Sequence, residues 1–255
     1  MLPLVQLLHD PSSSVQVAVL GALSNMVLDF SSAKSPFIEY GGIKQLIELS
    51  KSMDPNARCS ALRALRNLMF LADNKRKELF YSDVKAQGLA SLISDPEPPV
   101  QEQALALLRN LVDGCIKSIE FVFDEDGLIL DTVGRQLRKS PQAQIAIQGM
   151  YVLTNVASGT ELHKEAVMQQ LFPQAGSENF MLKFLQSDES QLRSATVWTV
   201  INLISPSSPG ALDRHVKLRN AGIIPQLKNM VNDACLDVKI RIRTVLGQSM
   251  SFGDN

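Results

Sequence analysis

An asparagine between apolar residues recurs along this chain: "LSNM" at Asn25, "LRNL" at Asn67, "LRNL" at Asn110, "LTNV" at Asn155 and "VINL" at Asn202. The spacings are 42, 43, 45 and 47 residues. A period of this length constrains the fold more than any other feature. It marks an array of supersecondary units, each too small to bury its apolar face alone and stable only when stacked on its neighbours. A turn signal precedes every asparagine. Asp10, Asp95, Ser140 and Ser187 stand 15 residues upstream of theirs, and Asp54 stands 13 upstream. Pro follows four of these five, and Pro after a turn residue favours the first turn of a helix.

The apolar positions keep register with the asparagines. Two residues before them stand Leu23, Leu65, Leu108, Leu153 and Val200. Five before stand Leu20, Leu62, Leu105, Met150 and Val197. Ten before stand Val15, Ala57, Val100, Ile145 and Leu192, and one after stand Met26, Leu68, Leu111, Val156 and Leu203. This predicts a helix of about four turns with one apolar stripe. A shorter helix is predicted before each turn, at 41–50, 85–94, 128–137, 178–187 and 221–230, and a third joins the units, as in "SPFIEY" and "DRHVKLRN". No stretch alternates with the period of a strand. The expected fold class is therefore all-α, a solenoid of about six three-helix repeats forming a single domain over 1–255. The repeats are placed at about 1–32, 33–73, 74–113, 114–158, 159–205 and 206–250. The first unit opens at its second helix, "LPLVQLL", which suggests the C-terminal part of a longer solenoid. In the last unit Gln248 stands where the asparagine is expected, and Lys239, Arg241 and Arg243 give it the polar character of a terminal cap.

Composition excludes several classes. The 25 Lys+Arg against 26 Asp+Glu give a net charge of -1, which disfavours a protein whose main partner is a nucleic acid backbone. No apolar run reaches the roughly 20 residues of a membrane span. Cys59, Cys115 and Cys235 are odd in number and far apart, so neither a zinc site nor a disulfide framework is indicated, and a reduced compartment is expected. His9, His163 and His215 share no metal-ligand spacing, and no nucleophile or phosphate-loop motif occurs. "DED" at 124–126 reads as a solvated loop. No enzyme activity and no cofactor are expected.

"AGIIPQL" followed by a turn and "VWTVINLI", with a Gly between the first two helices (Gly42, Gly222) and an Asn on the third, resembles the armadillo repeat rather than HEAT. The resemblance implies a right-handed superhelix whose third helices line a concave groove. "LDFSSAKSPFIEYGGIKQL" (28–46), "SALRALRNLMFLADNKRK" (60–77) and "DRHVKLRNAGIIPQL" (213–227) are similar to the C-terminal half of the armadillo subunits of GID/CTLH ubiquitin ligases. The similarity is weakest at 114–140 and 159–180. It implies a non-catalytic scaffold in ubiquitin-dependent degradation, in cytoplasm and nucleus, that holds a substrate receptor's tail in the groove and meets other subunits of RING and CTLH type. A transport or signalling adaptor of importin or catenin type is the alternative. It is disfavoured because such grooves pair acidic residues with basic cargo, whereas these third helices lean basic.

The candidate groove residues follow from the register. Asn25, Asn67, Asn110, Asn155 and Asn202 each offer two donors and an acceptor, enough to pair with an extended peptide's backbone. They can equally bond the neighbouring repeat's backbone. In peptide-binding armadillo families an aromatic residue stands four before the Asn; here only Tyr151 and Trp198 keep one, and they read either as groove walls or as core. Arg63 occupies the same position, while Arg66 and Arg109 lie about 100° round the helix, at the rim. With Arg58 they can hold an acidic residue or a terminal carboxylate, or form a solvated or inter-repeat charged face. "SPSSPG" (205–210) is a linker in which Ser205 and Ser208 precede Pro and are candidate phosphorylation sites.

Overall fold

The computed structural model of the protein describes residues 2–29, 31–114, 116–173 and 180–253. Cys115, residues 178–179 of the predicted helix 178–187, and the last two residues lie outside them. Regular structure among the described residues is helical throughout, and the chain forms two compact units, 1–132 and 133–255. The first unit holds α1 (Leu2–Leu7), α2 (Ser13–Asp29), α3 (Ser31–Glu39), α4 (Gly42–Leu49), α5 (Pro55–Met69), α6 (Asn74–Ile93), α7 (Pro98–Leu111) and α8 (Ile116–Glu120). A 3-10 turn (Phe121–Phe123) leads into α9 (Asp124–Lys139), within which the boundary between the units falls. The second unit continues with α10 (Ala143–Ala157), α11 (Glu161–Leu171), α12 (Phe180–Leu185), α13 (Ser190–Leu203), α14 (Ala211–Asn220), α15 (Ile223–Asn229) and α16 (Leu236–Met250). The boundary cuts the repeat read as 114–158, where the family resemblance is weakest.

The long helices form where the asparagine register placed them, and the core is their apolar stripe. Leu23, Leu65, Leu108, Leu153 and Val200 are all buried, as are Leu20, Leu62, Leu105, Met150 and Val197. In the first unit α5 packs between α2 and α7; in the second α13 packs between α10 and α16. The turn signals act through one local bond. The side chains of Asp10, Asp54, Asp95, Ser140, Ser187 and Asp233 each accept the backbone N–H two residues on, at 2.8–3.2 Å. That bond turns the chain into the next long helix and satisfies a donor left over at its start.

The glycine signal needs a correction. Gly41, not Gly42, takes the left-handed conformation that starts α4, as Gly222 does for α15 (φ 77° and 81°). Gly42 serves packing instead: a Cβ there would stand 2.3 Å from the buried Phe37 ring. Where the repeat lacks this glycine, Lys85 adopts φ 56° inside α6 and separates the predicted helix 85–94 from the stretch before it. The "DED" stretch is an exposed turn, with Glu125 and Asp126 in the left-handed region.

Buried cations tie the first helices of the repeats to the ends of long helices, which the periodicity did not reveal. Lys34 on α3 donates to Phe70 O at the end of α5, and Lys77 on α6 to Asp113 O beyond α7. Lys164 on α11 donates to Gly159 O, and Arg214 on α14 to Leu203 O. A cation placed on the last carbonyls satisfies orphan acceptors and meets the negative end of the helix dipole. Arg58 Nε and Nη2 clasp Asp95 at 2.9 and 3.0 Å, and Arg193 clasps Asp233 in the same way at 2.8 and 2.9 Å. Arg214 is wholly buried and reaches both Glu161 and Glu165. Glu161, bonded by Arg214, Ser208 Oγ and the Gly210 N–H, is held at about 2, below its ordinary 4.5.

Leu108→Ala is expected to destabilise the protein by about 2–5 kcal/mol, as for a large-to-small change in a closed core; urea unfolding measures it. Acid sensitivity follows from Glu161. Its folded-state pKa is depressed, so its contribution to stability is complete above pH 4.5 and is lost as pH falls toward about 2. Glu161→Gln should lower stability at pH 7 and flatten the stability profile through that window, read as denaturation midpoints between pH 5 and 2.5.

Candidate protein-binding surface

The asparagines form a ladder between long helices. Asn67 Nδ2 donates to Ser24 O at 3.0 Å and Ser24 Oγ at 2.9 Å; Asn110 Nδ2 donates to Arg66 O, and Asn202 Nδ2 to Thr154 O, both at 2.9 Å. In each case the acceptor is the residue just before the preceding repeat's asparagine. The carbonyls of Arg66 and Thr154 lie in the last turns of α5 and α10, where the helix has no further N–H for them, and the amide supplies one. Asn67 is buried, and its Oδ1 accepts both Nε and Nη2 of Arg66. Its amide is thus spent between repeats, which corrects its assignment to peptide contact. Asn110, Asn155 and Asn202 are half-buried, and Asn25 is exposed. In the last unit Gln248 Oε1 is buried and has no hydrogen-bond partner among the described residues.

Arg58 is also corrected: its carboxylate is Asp95 of the next turn, so it offers nothing to a partner. The other three arginines come together in the first unit. Arg63 is exposed, and Arg66 and Arg109 are half-buried. Arg66 reaches across to α7 through Gln103 Oε1 at 2.8 Å, so its bonds to Asn67 and Gln103 all go to neutral acceptors. Burial and the neighbouring Arg63, with Arg109 adding to them, hold Arg66 below the usual guanidinium range against the pull of Glu102. Burial is the larger influence and the neighbouring arginines add to it; both would be eased by an incoming anion. Burial, first among the influences, raises the nearby Cys59 thiol.

In the second unit Trp198 and Tyr151 meet edge to face, ring centroids 6.4 Å apart and planes at 89°. Trp198 is 37% exposed, so it is a surface residue rather than core. One face of its ring carries the Arg241 guanidinium, 3.9 Å from the centroid. Arg241 is held there by Asp237 (Nε to Oδ2, 2.9 Å), which also accepts from Ser194 Oγ. Arg241 and Gln103 stand at the same offset, seven residues before Gln248 and Asn110. The repeat register thus held the signal for both cross-repeat contacts. The Asp237–Arg241 spacing of four was a further sign that Arg241 is held in place rather than being a free cap residue.

The histidines are structural where their partners are resolved: His163 Nδ1 accepts the Thr160 N–H at the start of α11, and His215 stacks against Phe252. Among the described residues no group of three or more His, Cys, Asp and Glu is placed to hold a metal ion, and no helix is long and apolar enough to cross a membrane.

Three-helix units with a stacked third helix and an asparagine ladder are the layout of armadillo repeats, and the described residues have the armadillo-repeat fold. The Armadillo/beta-catenin-like repeat family model matches residues 1–28 and 33–70. The chain is similar to "Armadillo repeat-containing protein 8" of Danio rerio, 27% identical over 253 residues, covering 98% of this chain and 36% of the relative. It is also similar to "GID complex subunit 5" of Schizosaccharomyces pombe, 23% identical over 293 residues, covering 96% of this chain and 37% of the relative. The chain therefore spans little more than a third of the length of these relatives. A designed armadillo repeat protein solved in complex with the peptide (KR)4 has the same fold, with TM-score 0.82, 19% identity and coverage of 96% of this chain and 98% of the other.

One pair of substitutions separates the two kinds of residue. Asn67→Ala should lower stability by about 1–3 kcal/mol, since it leaves buried partners unsatisfied. Trp198→Ala should leave the unfolding midpoint nearly unchanged while weakening a bound partner by about 2 kcal/mol or more. Thermal melts and titration with the partner tail check both.

Proposed function

We propose that this chain is part of the scaffold of a GID/CTLH-type ubiquitin ligase and holds the tail of a substrate receptor on its third-helix surface. The observation that carries this reading is the arginine cluster. Of the cations on and around α5 and α7, Arg58, Lys34 and Lys77 are spent on partners within the fold. Arg63, exposed and close enough to Arg66 to lower its pKa, marks a place where an anion is welcome. An acidic residue or a terminal carboxylate of the receptor suits it, because arginine forks match carboxylates. Trp198, Tyr151 and the Arg241 above them offer a second contact, for an apolar or aromatic residue. Similarity to a protein named as a GID complex subunit supports the reading, as does a basic surface unsuited to basic cargo. Catalysis belongs to other subunits of RING and CTLH type, on other surfaces.

The test is co-purification of the Arg63→Glu variant with both classes of partner. Receptor binding should fall by roughly tenfold or more, about 1.4 kcal/mol, while the RING-side subunits stay bound. Undiminished receptor binding, or equal loss of every partner, rejects the assignment.

A further inference from the structure

The turn between α13 and α14 carries two serines that each precede a proline, Ser205–Pro206 and Ser208–Pro209. Their surroundings differ. Ser205 Oγ lies 3.1 Å from Ser207 Oγ, at the surface. Ser208 Oγ closes a charged cluster: it donates to Glu161 Oε2 at 2.5 Å and accepts from Arg214 Nη2 at 2.7 Å. Arg214 also bonds Glu161 and Glu165, and Glu161 Oε1 takes the Gly210 N–H at 3.0 Å. Lys164 stands close enough to feel both Arg214 and Glu161. Two cations and two carboxylates balance, and the neutral hydroxyl is the piece that fits between them. Through these bonds the turn and the start of α14 are fastened to the first residues of α11. The arginine side of the cluster is closed, with Arg214 at 0% exposure, while the carboxylates are 35% and 44% exposed. Pro206, Ser207 and Pro209 are exposed, so the chain on both sides of Ser208 is open to a second protein.

We propose that Ser208 is a phosphorylation site and that its phosphate opens this latch. A protein kinase that reads serine before proline would supply the phosphoryl group from a nucleoside triphosphate. The Oγ–P bond forms, the bond from that phosphorus to the departing nucleoside diphosphate breaks, and the hydroxyl proton leaves. The product has lost the donor to Glu161 and brings a charge of about −1.5 to −2 at neutral pH. The balanced cluster becomes strongly negative. The buried Arg214 guanidinium and Lys164 then face a phosphate and two carboxylates, and Glu161 is repelled from the turn it holds. Ser205 shares the dipeptide but touches none of this, so the effect belongs to Ser208 alone.

The full chain is incubated with a proline-directed serine kinase and magnesium ATP, then followed by intact mass and amide hydrogen exchange. One phosphate is expected on Ser208, absent in Ser208→Ala and retained in Ser205→Ala. Exchange across residues 204–220 should accelerate at least about tenfold, with α2 unchanged. Ser208→Glu should reproduce the acceleration, and adding Glu161→Gln should reduce it, because one of the repelling charges is gone; loss of packing alone would not respond in this way. Phosphate confined to Ser205, or no phosphate, overturns the site. Phosphorylated Ser208 with unaltered exchange overturns the latch.

Discussion

The side-chain amide that α5, α7 and α13 each lend to the preceding long helix is the bond on which the other features depend. Carbonyls in the last turn of a helix run out of N–H groups of their own helix. Asn110 and Asn202 donate to two such carbonyls, Arg66 O and Thr154 O, and Asn67 donates to Ser24 O, so neighbouring long helices are fixed side by side. That register brings Leu65 and Leu108, or Leu153 and Val200, into one buried stripe. It also decides what lies outside: the residue four before each asparagine is turned toward solvent at Arg63 and Trp198, while Ala106 stays buried.

A net charge of -1 hides how unequally the cations are employed. Arg58, Arg193 and Arg214 bind carboxylates of their own chain, and Lys34, Lys77 and Lys164 sit on helix-end carbonyls. These groups are desolvated, and each is tolerable only because its partner is in place. Arg63, Arg66 and Arg109 are arranged differently. Arg63 and Arg109 both act on Arg66, and the bonds of Arg66 to Asn67 and Gln103 go to amide oxygens rather than carboxylates. The aromatic pair of the second unit is furnished in a different way. Arg241 already lies on the Trp198 ring, so a partner that uses that face must displace a held guanidinium or engage it.

Several of these roles were within reach of the sequence. The turn residues Asp10, Asp54, Asp95, Ser140 and Ser187 work as local geometry requires, since an oxygen two residues before a backbone N–H acts without help from the rest of the chain. The apolar offsets predict the core because period and burial are linked by helix geometry alone. The glycine was misassigned by one position: "GG" at 41–42 names two residues, and only the Phe37 ring packed against Gly42 tells the turn residue from the packing residue.

By itself, the sequence determined the repeat, its helices and the buried stripe, because each rests on contacts within a few residues or on a pattern copied along the chain. The fate of each polar side chain was a tertiary decision. Asn67 became a strut, Arg58 the partner of Asp95, Trp198 a ledge under Arg241, and Ser208 the closing piece of a charged cluster. Arg58 and Arg63 look alike in the sequence, five residues apart on one helix. They differ because a carboxylate 37 residues further on reaches the first and not the second. Hydrogen bonds and ion pairs act over about 3 Å, and which groups come that close is known only once the helices are stacked.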